Sequence, residues 1–449
     1  MINKEEIIKA VAPFNLWDKE QETGIDRGAY IERVEKFSTV KGNAIAIIGV
    51  RRGGKTFIVK QFLKHSLKNV DKEQTLYVNF EEPKFEPYLN LTLLDEIYDA
   101  YRTYINKEKF AYLIFDEIQN IPRWEKWVRI MLEKQENVEI IVTGSNSKLL
   151  VSELSTILTG RTLKIIIFPL NFNEFLLFNN IQIKKKYNLM AKKILIKRLL
   201  IEYINYGGFP KIVLEKNEYL KIELIKDIFE GIIYRDVISR HKIANASLVR
   251  IMAELAISNF SSLLSANKLR NSLIPILQTK ISPNIVVELL NYLEESFLIF
   301  HLPIFSYKVK EQKQYPKKIY CLDTGIINTV NPRFTKDIGR LYENVVAIKL
   351  KKLEMDRKCN IFYWKNPLHE EVDFVIKNGM KVNALIQVCY NVSEQNTKER
   401  ELKALMKASE EFKCNNLLVI TEDYETEEKF KGKKIKFIPL WKWLLENGI

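Results

Sequence analysis

Gly49-Val50-Arg51-Arg52-Gly53-Gly54-Lys55-Thr56 spaces a glycine, four variable residues and then Gly-Lys-Thr, the pattern of a phosphate-binding loop. Ala44-Ile45-Ala46-Ile47-Ile48 precedes it and reads as a strand. Phe57-Ile58-Val59-Lys60-Gln61-Phe62-Leu63 follows and reads as the start of an amphipathic helix. Glycines let backbone N–H groups turn inward around phosphate oxygens. The helix behind them points its positive end at the same oxygens. Lys55 is placed to reach the β- and γ-phosphates of a triphosphate, and the Thr56 hydroxyl to meet Mg2+. Gly49, Arg52, Gly53, Gly54, Lys55, Thr56 and Phe57 are the candidate nucleotide-binding residues. A bare Gly-rich turn between strand and helix would look similar locally, so a second motif has to decide.

Tyr112-Leu113-Ile114-Phe115-Asp116-Glu117 is that motif: an apolar run ending in two acids. A buried parallel strand reads as a continuous apolar run. This is the Walker B pattern, in which Asp116 holds Mg2+ through water and Glu117 polarises the attacking water as general base. Two acids after a strand can also start a solvated loop; joined to Lys55 they read as a catalytic edge.

Working outward, strand and helix candidates alternate over residues 1–180. Strands are expected at Ala44–Val50, Thr75–Phe80, Tyr112–Phe115, Val138–Thr143 and Leu163–Phe168. Helices are expected after the loop, over Leu91–Ile105, over Pro122–Lys134 and near Ser147–Ile157. The alternation predicts an α/β domain with a parallel sheet and ligands at the carboxyl ends of its strands. Thr143-Gly144-Ser145-Asn146-Ser147 ends the fourth strand. Thr143 or Ser145 is placed to sense the γ-phosphate, while Asn146 or Ser147 suits a helix N-cap. Gly160-Arg161 precedes the fifth strand. Arg161 is either a finger reaching the γ-phosphate of a neighbouring subunit in a homo-oligomer or a surface arginine after a C-cap glycine.

The composition fits a large globular chain. Of its 449 residues 47% are hydrophobic, enough for several cores. No run reaches the roughly 18 apolar residues of a membrane span, and Met1-Ile2-Asn3-Lys4-Glu5-Glu6 has no secretory pattern. The four cysteines, Cys321, Cys359, Cys389 and Cys414, lack metal spacing. A cytoplasmic, reducing location is the expectation. The net charge of +14 suits a polyanionic partner, nucleic acid first.

The order of the loop, then Phe115-Asp116-Glu117-Ile118-Gln119-Asn120, Thr143-Gly144-Ser145-Asn146-Ser147-Lys148-Leu149-Leu150, Gly160-Arg161, Phe168-Pro169-Leu170 and Glu174-Phe175 resembles the prokaryotic AAA+ ATPases of archaea and bacteria. The resemblance runs over nearly the whole chain. It implies Mg2+-dependent binding and hydrolysis of ATP.

Residues 181–245 read as a helical lid. The stretch 181–205 carries Lys184, Lys185, Lys186, Lys192, Lys193, Lys197 and Arg198, either a solvated face or a phosphate-facing one. Tyr206-Gly207-Gly208-Phe209-Pro210 breaks it in a tight turn. The resemblance implies that Gly208 and Pro210 touch the nucleotide base. Tyr234-Arg235-Asp236-Val237 matches a further signature of the same family.

Residues 246–335 read as three helices, opened near Ser247, Ser265 and Ser282-Pro283, and two strands, Leu298–Ile304 and Lys318–Leu322. Lys308, Lys310, Lys313, Lys317 and Lys318 line the stretch between and into the second strand. That order predicts a winged helix with its third helix in the DNA major groove and the lysines on phosphates; a protein-binding winged helix is the other reading.

Residues 336–449 read as a helix carrying Glu343, three strands at Ile361–Trp364, Glu371–Ile376 and Ala384–Tyr390, a helix over Glu394–Phe412 and a strand Leu417–Ile420. This order resembles the PD-(D/E)xK nuclease fold, a restriction-endonuclease-like mixed α/β domain. Glu343 and Asp373 match its metal-binding acids. Gln387 stands for the next carboxylate and Cys389 for the lysine, so cleavage is expected to be lost or weak. The reading that joins these parts is an ATPase coupled to DNA binding or remodelling. A nucleotide-switched DNA- or protein-binding regulator with slow turnover is the alternative, and an ATP-coupled nuclease is disfavoured by Gln387 and Cys389.

Overall fold

The computed structural model describes residues 2–17, 21–134, 136–145, 160–183, 186–331, 337–393 and 395–446. They form two compact units, Met1–Ile167 and Phe168–Ile449. The helix expected near Ser147–Ile157, and the cap residues Asn146 and Ser147, lie outside the described residues.

The first unit is built on a five-stranded sheet: β1 (Ala44–Gly49), β2 (Thr75–Asn79), β3 (Ala111–Asp116), β4 (Val138–Gly144) and β5 (Thr162–Ile167). Their spatial order is β2-β3-β4-β1-β5, and every neighbouring pair is parallel. All six residues of β1 are buried, as expected of a central strand covered on both faces. On one face Ile45, Ile47, Tyr77, Ile114, Ile141 and Ile165 form a core with Ile58, Val59, Phe62 and Leu63 of the helix Lys55–Ser66. Each such side chain contributes about 1.5–3 kcal/mol on burial. That packing fixes the helix start against the ends of β1 and β3, where the functional residues lie.

The second unit opens with the helix Phe172–Phe178, which the sequence had grouped with the first domain. Helices Lys193–Tyr206, Pro210–Leu214 and Glu218–Gly231 follow. Tyr234-Arg235-Asp236-Val237 falls in a π-helical stretch, Ile232–Ser239. Three helices, Ala246–Ser258, Ala266–Leu277 and Pro283–Glu295, accompany a three-stranded antiparallel sheet of β6 (Ser262–Leu264), β7 (Ile299–Leu302) and β8 (Lys317–Cys321) in the order β6-β8-β7. Ser265 and Ser282 cap the second and third of these helices. The basic stretch between β7 and β8 holds a short helix, Val309–Gln314.

The rest of the unit is a six-stranded mixed sheet: β9 (Asn360–Lys365), β10 (Glu371–Asn378), β11 (Lys381–Val388), β12 (Leu417–Thr421), β13 (Thr426–Phe430) and β14 (Lys433–Pro439), in the order β13-β14-β12-β11-β10-β9. The helices Ile338–Met355 and Gln395–Phe412 accompany it. β13 and β14 are absent from the sequence reading. β13, Thr-Glu-Glu-Lys-Phe, is an edge strand, and charge on an edge protects it from pairing while hiding it from a hydrophobic pattern.

Candidate functional site

The loop after β1 keeps its shape through close approaches that admit no side chain. A Cβ on Gly49 would lie 2.1 Å from the Ile167 carbonyl oxygen, and one on Gly53 3.0 Å from the Val50 oxygen. Gly54 adopts φ 98°, a left-handed conformation, and serves as N-cap of the helix Lys55–Ser66. Arg52 also takes a positive φ, 61°. Arg27, buried at the entry to the helix Gly28–Ser38, donates from Nη1 to the Gly53 carbonyl at 3.0 Å and braces the loop from behind. Phe57 is half exposed on the first turn of the helix.

Lys55 is 5% exposed. Its ammonium donates to the carbonyls of Gly49 (3.2 Å) and Val50 (3.3 Å) and lies 3.5 Å from Glu117 Oε1. The cation, the loop and the expected general base are thus drawn together from two strand ends.

Asp116 ends β3 and is buried. Thr56 donates to its Oδ2 at 2.8 Å, Tyr77 to the same oxygen at 2.5 Å, and Thr143 to its Oδ1. Burial, reinforced by the neighbouring Glu117 carboxylate, raises the Asp116 pKa; the three hydroxyl donors oppose that rise. The Tyr77 hydroxyl is pushed up by burial and by Asp116. Glu117 sits at φ 54°, a strained conformation for such a residue. Its N–H donates to Thr143 Oγ1 at 3.1 Å and its Oε2 accepts from Gln119. Thr143 therefore touches both acids. Ser145 is fully buried just beyond it.

Thr56 and Asp116 present a hydroxyl and a carboxylate oxygen side by side. Hard oxygen donors of this kind fit Mg2+. Tyr77 and Arg27 are functional neighbours that sequence reasoning missed. Their signal, a phenol in an apolar strand and an arginine before a helix, becomes readable only when β2 is known to lie beside β3.

A family model described as an AAA domain matches residues 41–176. Models of two domains of unknown function, DUF8612 and DUF4143, match residues 197–337 and 338–443. An uncharacterized protein of Methanocaldococcus jannaschii is 38% identical over 452 residues, 99% of this chain and 96% of that protein. The chain belongs to the AAA-domain family.

A second relative of this AAA-domain protein, from Haemophilus influenzae, is 27% identical over 93% of this chain and 98% of its own length. Among solved structures, the Walker-type ATPase PABY2304 of Pyrococcus abyssi is similar at 16% identity and a TM-score of 0.43, over 70% of this chain and 99% of that one. The ORC1 protein of Aeropyrum pernix in complex with DNA is similar at 11% identity and a TM-score of 0.32, over 71% and 95%.

Arg161 does not join the site within its own chain of this AAA-domain protein. It precedes β5, whose first residue pairs with Ala44 at the start of β1, so it stands at the edge of the sheet opposite the loop. Its guanidinium pairs with Glu133 at 3.1 Å. Gly208 and Pro210 lie in the second unit. Gly208 N–H donates to Asp323 Oδ2 at 2.7 Å, and its carbonyl accepts from Leu170 N–H at 2.7 Å. A Cβ on Gly207, at φ 75°, would lie 1.9 Å from Asp323 Oδ1. The glycine pair makes room for this buried carboxylate, and Pro210 starts the helix Pro210–Leu214. Burial raises the Asp323 pKa to about 6.

Two of the basic segments find acidic partners within the second unit. Lys193 and Lys197 pair with Asp423 at 3.3 and 3.2 Å, so they are not both free for phosphate. Lys184 and Lys185 lie outside the described residues. Lys318 faces the interior: it is 2% exposed, whereas Lys317 beside it on β8 is exposed, as strand alternation requires.

Lys318 stands among the acids of the last segment. Its ammonium meets Glu343 of the helix Ile338–Met355 and Glu371 and Asp373 of β10. Burial would lower its pKa, yet Asp373 and Glu343 hold it well above the ordinary lysine value. Glu343 is pushed up to about 7 by burial and by Asp373. Gln387 Oε1 accepts from the Asp373 N–H at 3.1 Å, and its amide donates to Glu401. Cys389 is buried just past β11, its thiol donating weakly to the Asn391 carbonyl at 3.5 Å. With the side chains as they stand, Lys318 included, no group of three or more His, Cys, Asp or Glu among the described residues is arranged to hold a metal ion. Nor, among the described residues, is any helix long and apolar enough to cross a membrane.

Proposed function

We propose that this chain is a Mg2+-dependent ATPase whose turnover drives DNA binding or remodelling by its second unit. The observation that carries it is the meeting of Lys55, Thr56, Asp116, Glu117 and Thr143 at one edge of the sheet. Mg2+, held by Thr56 and Asp116, would neutralise charge developing on the phosphates. Lys55 binds the β- and γ-phosphates, exchanging its loop carbonyls for phosphate oxygens. Glu117 orients the attacking water and takes its proton. Thr143, bonded to both acids, fixes their relative position. Gly208 and Pro210 contribute to the base pocket. Arg161 acts in trans, on the site of a neighbouring copy. Residues 246–335 serve as a winged helix and 336–449 as a nuclease-like domain without cleavage. The protein works in the cytoplasm.

The net charge of +14 and the lysines near Val309–Gln314 support DNA as the partner. ATP turnover by the full chain, with and without single- and double-stranded DNA, tests the reading; stimulation that weakens with salt is expected. A slow, DNA-insensitive turnover would favour the second reading, a nucleotide-switched regulator. The Lys55–Glu117 contact, which ties up the base until nucleotide enters, speaks for that reading.

A further inference from the structure

Three carboxylates of the second unit converge on one point. Lys318 Nζ lies 2.6 Å from Glu371 Oε1, 2.8 Å from Asp373 Oδ1 and 3.0 Å from Glu343 Oε1. The lysine side chain is 3% exposed, Asp373 9% and Glu343 12%. An ammonium has three N–H donors and no acceptor, so each donor has its own carboxylate oxygen. The surrounding atoms are spoken for as well. Tyr320 donates to Glu343 at 2.7 Å, Val388 N–H to Asp373 Oδ2 at 2.9 Å, and Lys365 to Glu371 Oε2 at 3.2 Å.

Asp373 is buried, Glu343 is nearly so and Glu371 is 26% exposed; without a cation the three carboxylates would repel one another where water screens incompletely. A cluster of this kind ordinarily recruits a hard divalent ion at about 2.0–2.6 Å from each oxygen. Here the spacing is that of charge-assisted N–H···O bonds, and the cation arrives on β8, from a different sheet than Glu371 and Asp373. The ATPase site makes no use of these residues.

We propose that Glu343, Glu371 and Asp373 form a cation site whose resident cation is the chain's own Lys318 ammonium, which closes the site to Mg2+ and Mn2+. Gln387, neutral where a fourth charge would favour a divalent ion, suits a monovalent occupant. The ammonium also ties β8 to the helix Ile338–Met355 and to β10 without any metal. Removing it uncovers a divalent-cation site.

The test counts Mn2+ bound to the full chain, without nucleotide, by electron paramagnetic resonance. Comparison with Asp373→Asn cancels any ion held at the phosphate-binding loop. The wild type is expected to bind no Mn2+ that Asp373→Asn removes. Lys318→Ala is expected to gain about one Mn2+ per chain, lost again on adding Asp373→Asn. Mn2+ on the wild type that Asp373→Asn abolishes overturns the proposal, as does a folded Lys318→Ala without the extra ion. If neither Lys318→Ala nor Lys318→Met folds, the wild-type comparison still decides.

Discussion

Thr56 and Asp116, from different elements of the sheet edge, are joined by a hydrogen bond of 2.8 Å between Oγ1 and Oδ2. The first turn of the loop helix is thereby clamped to the end of β3. Glu117, the next residue, stands 3.5 Å from Lys55. Glu117→Gln keeps the shape and the N–H bond to Thr143 but removes the base and the charge facing Lys55. ATP binding should survive, measured with a fluorescent analogue, while turnover falls about 10²–10⁴-fold. Turnover near the wild-type rate would give the proton to another group.

Tyr77→Phe tests the support of Asp116. The phenol donates to the same carboxylate oxygen as Thr56, at 2.5 Å. Its loss leaves a buried carboxylate with one donor fewer, a cost of about 1–3 kcal/mol. The expected result is a lowered melting temperature and a higher Mg2+ requirement for turnover. An unchanged Mg2+ dependence would limit Tyr77 to packing.

Arg161 is tested by complementation. Losing its exposed pair with Glu133 should leave the melting temperature almost unchanged. Acting in trans, Arg161→Ala should lower turnover about 10³-fold. Mixing it with Lys55→Ala chains, which still supply Arg161, should restore part of the activity. No recovery in a mixture shown to co-assemble would return Arg161 to the surface.

Glu139, buried on β4, has its pKa raised to about 8 by burial, and its Oε1 has no hydrogen-bond partner. A folded-state pKa above the unfolded value means that the folded state holds the proton longer. The associated stability is complete below pH about 4.5 and disappears as pH rises through about 8. Glu139→Gln carries no such charge. Its melting temperature relative to the wild type should therefore climb between pH 5 and pH 8.5, by thermal denaturation at about those two values. A pH-independent difference would show that the carboxylate finds a partner.

Much of the nucleotide site was legible because its logic is local. Gly49 to Thr56 carries the loop in consecutive residues, and Asp116-Glu117 follow directly from a strand. The order β2-β3-β4-β1-β5 was not legible, since strand neighbours are chosen by tertiary packing. Tyr77 depends on that order and so escaped notice. The edge strand β13 escaped because its charges erase the alternation. Lys318 misled for a third reason. It follows Lys317 in a basic run and reads as a surface lysine, yet one step along a strand turns a side chain to the opposite face. Its partners at 343, 371 and 373 are invisible until β8 meets β10.

The central claim is that ATP hydrolysis depends on the Gly49–Thr56 loop. Steady-state phosphate release by purified full-length chain, compared with Lys55→Ala under saturating ATP and Mg2+, tests it most directly. The account predicts turnover by the wild type and release at background level by the variant, with the fold unchanged by circular dichroism. A folded Lys55→Ala that hydrolyses ATP at the wild-type rate would contradict it.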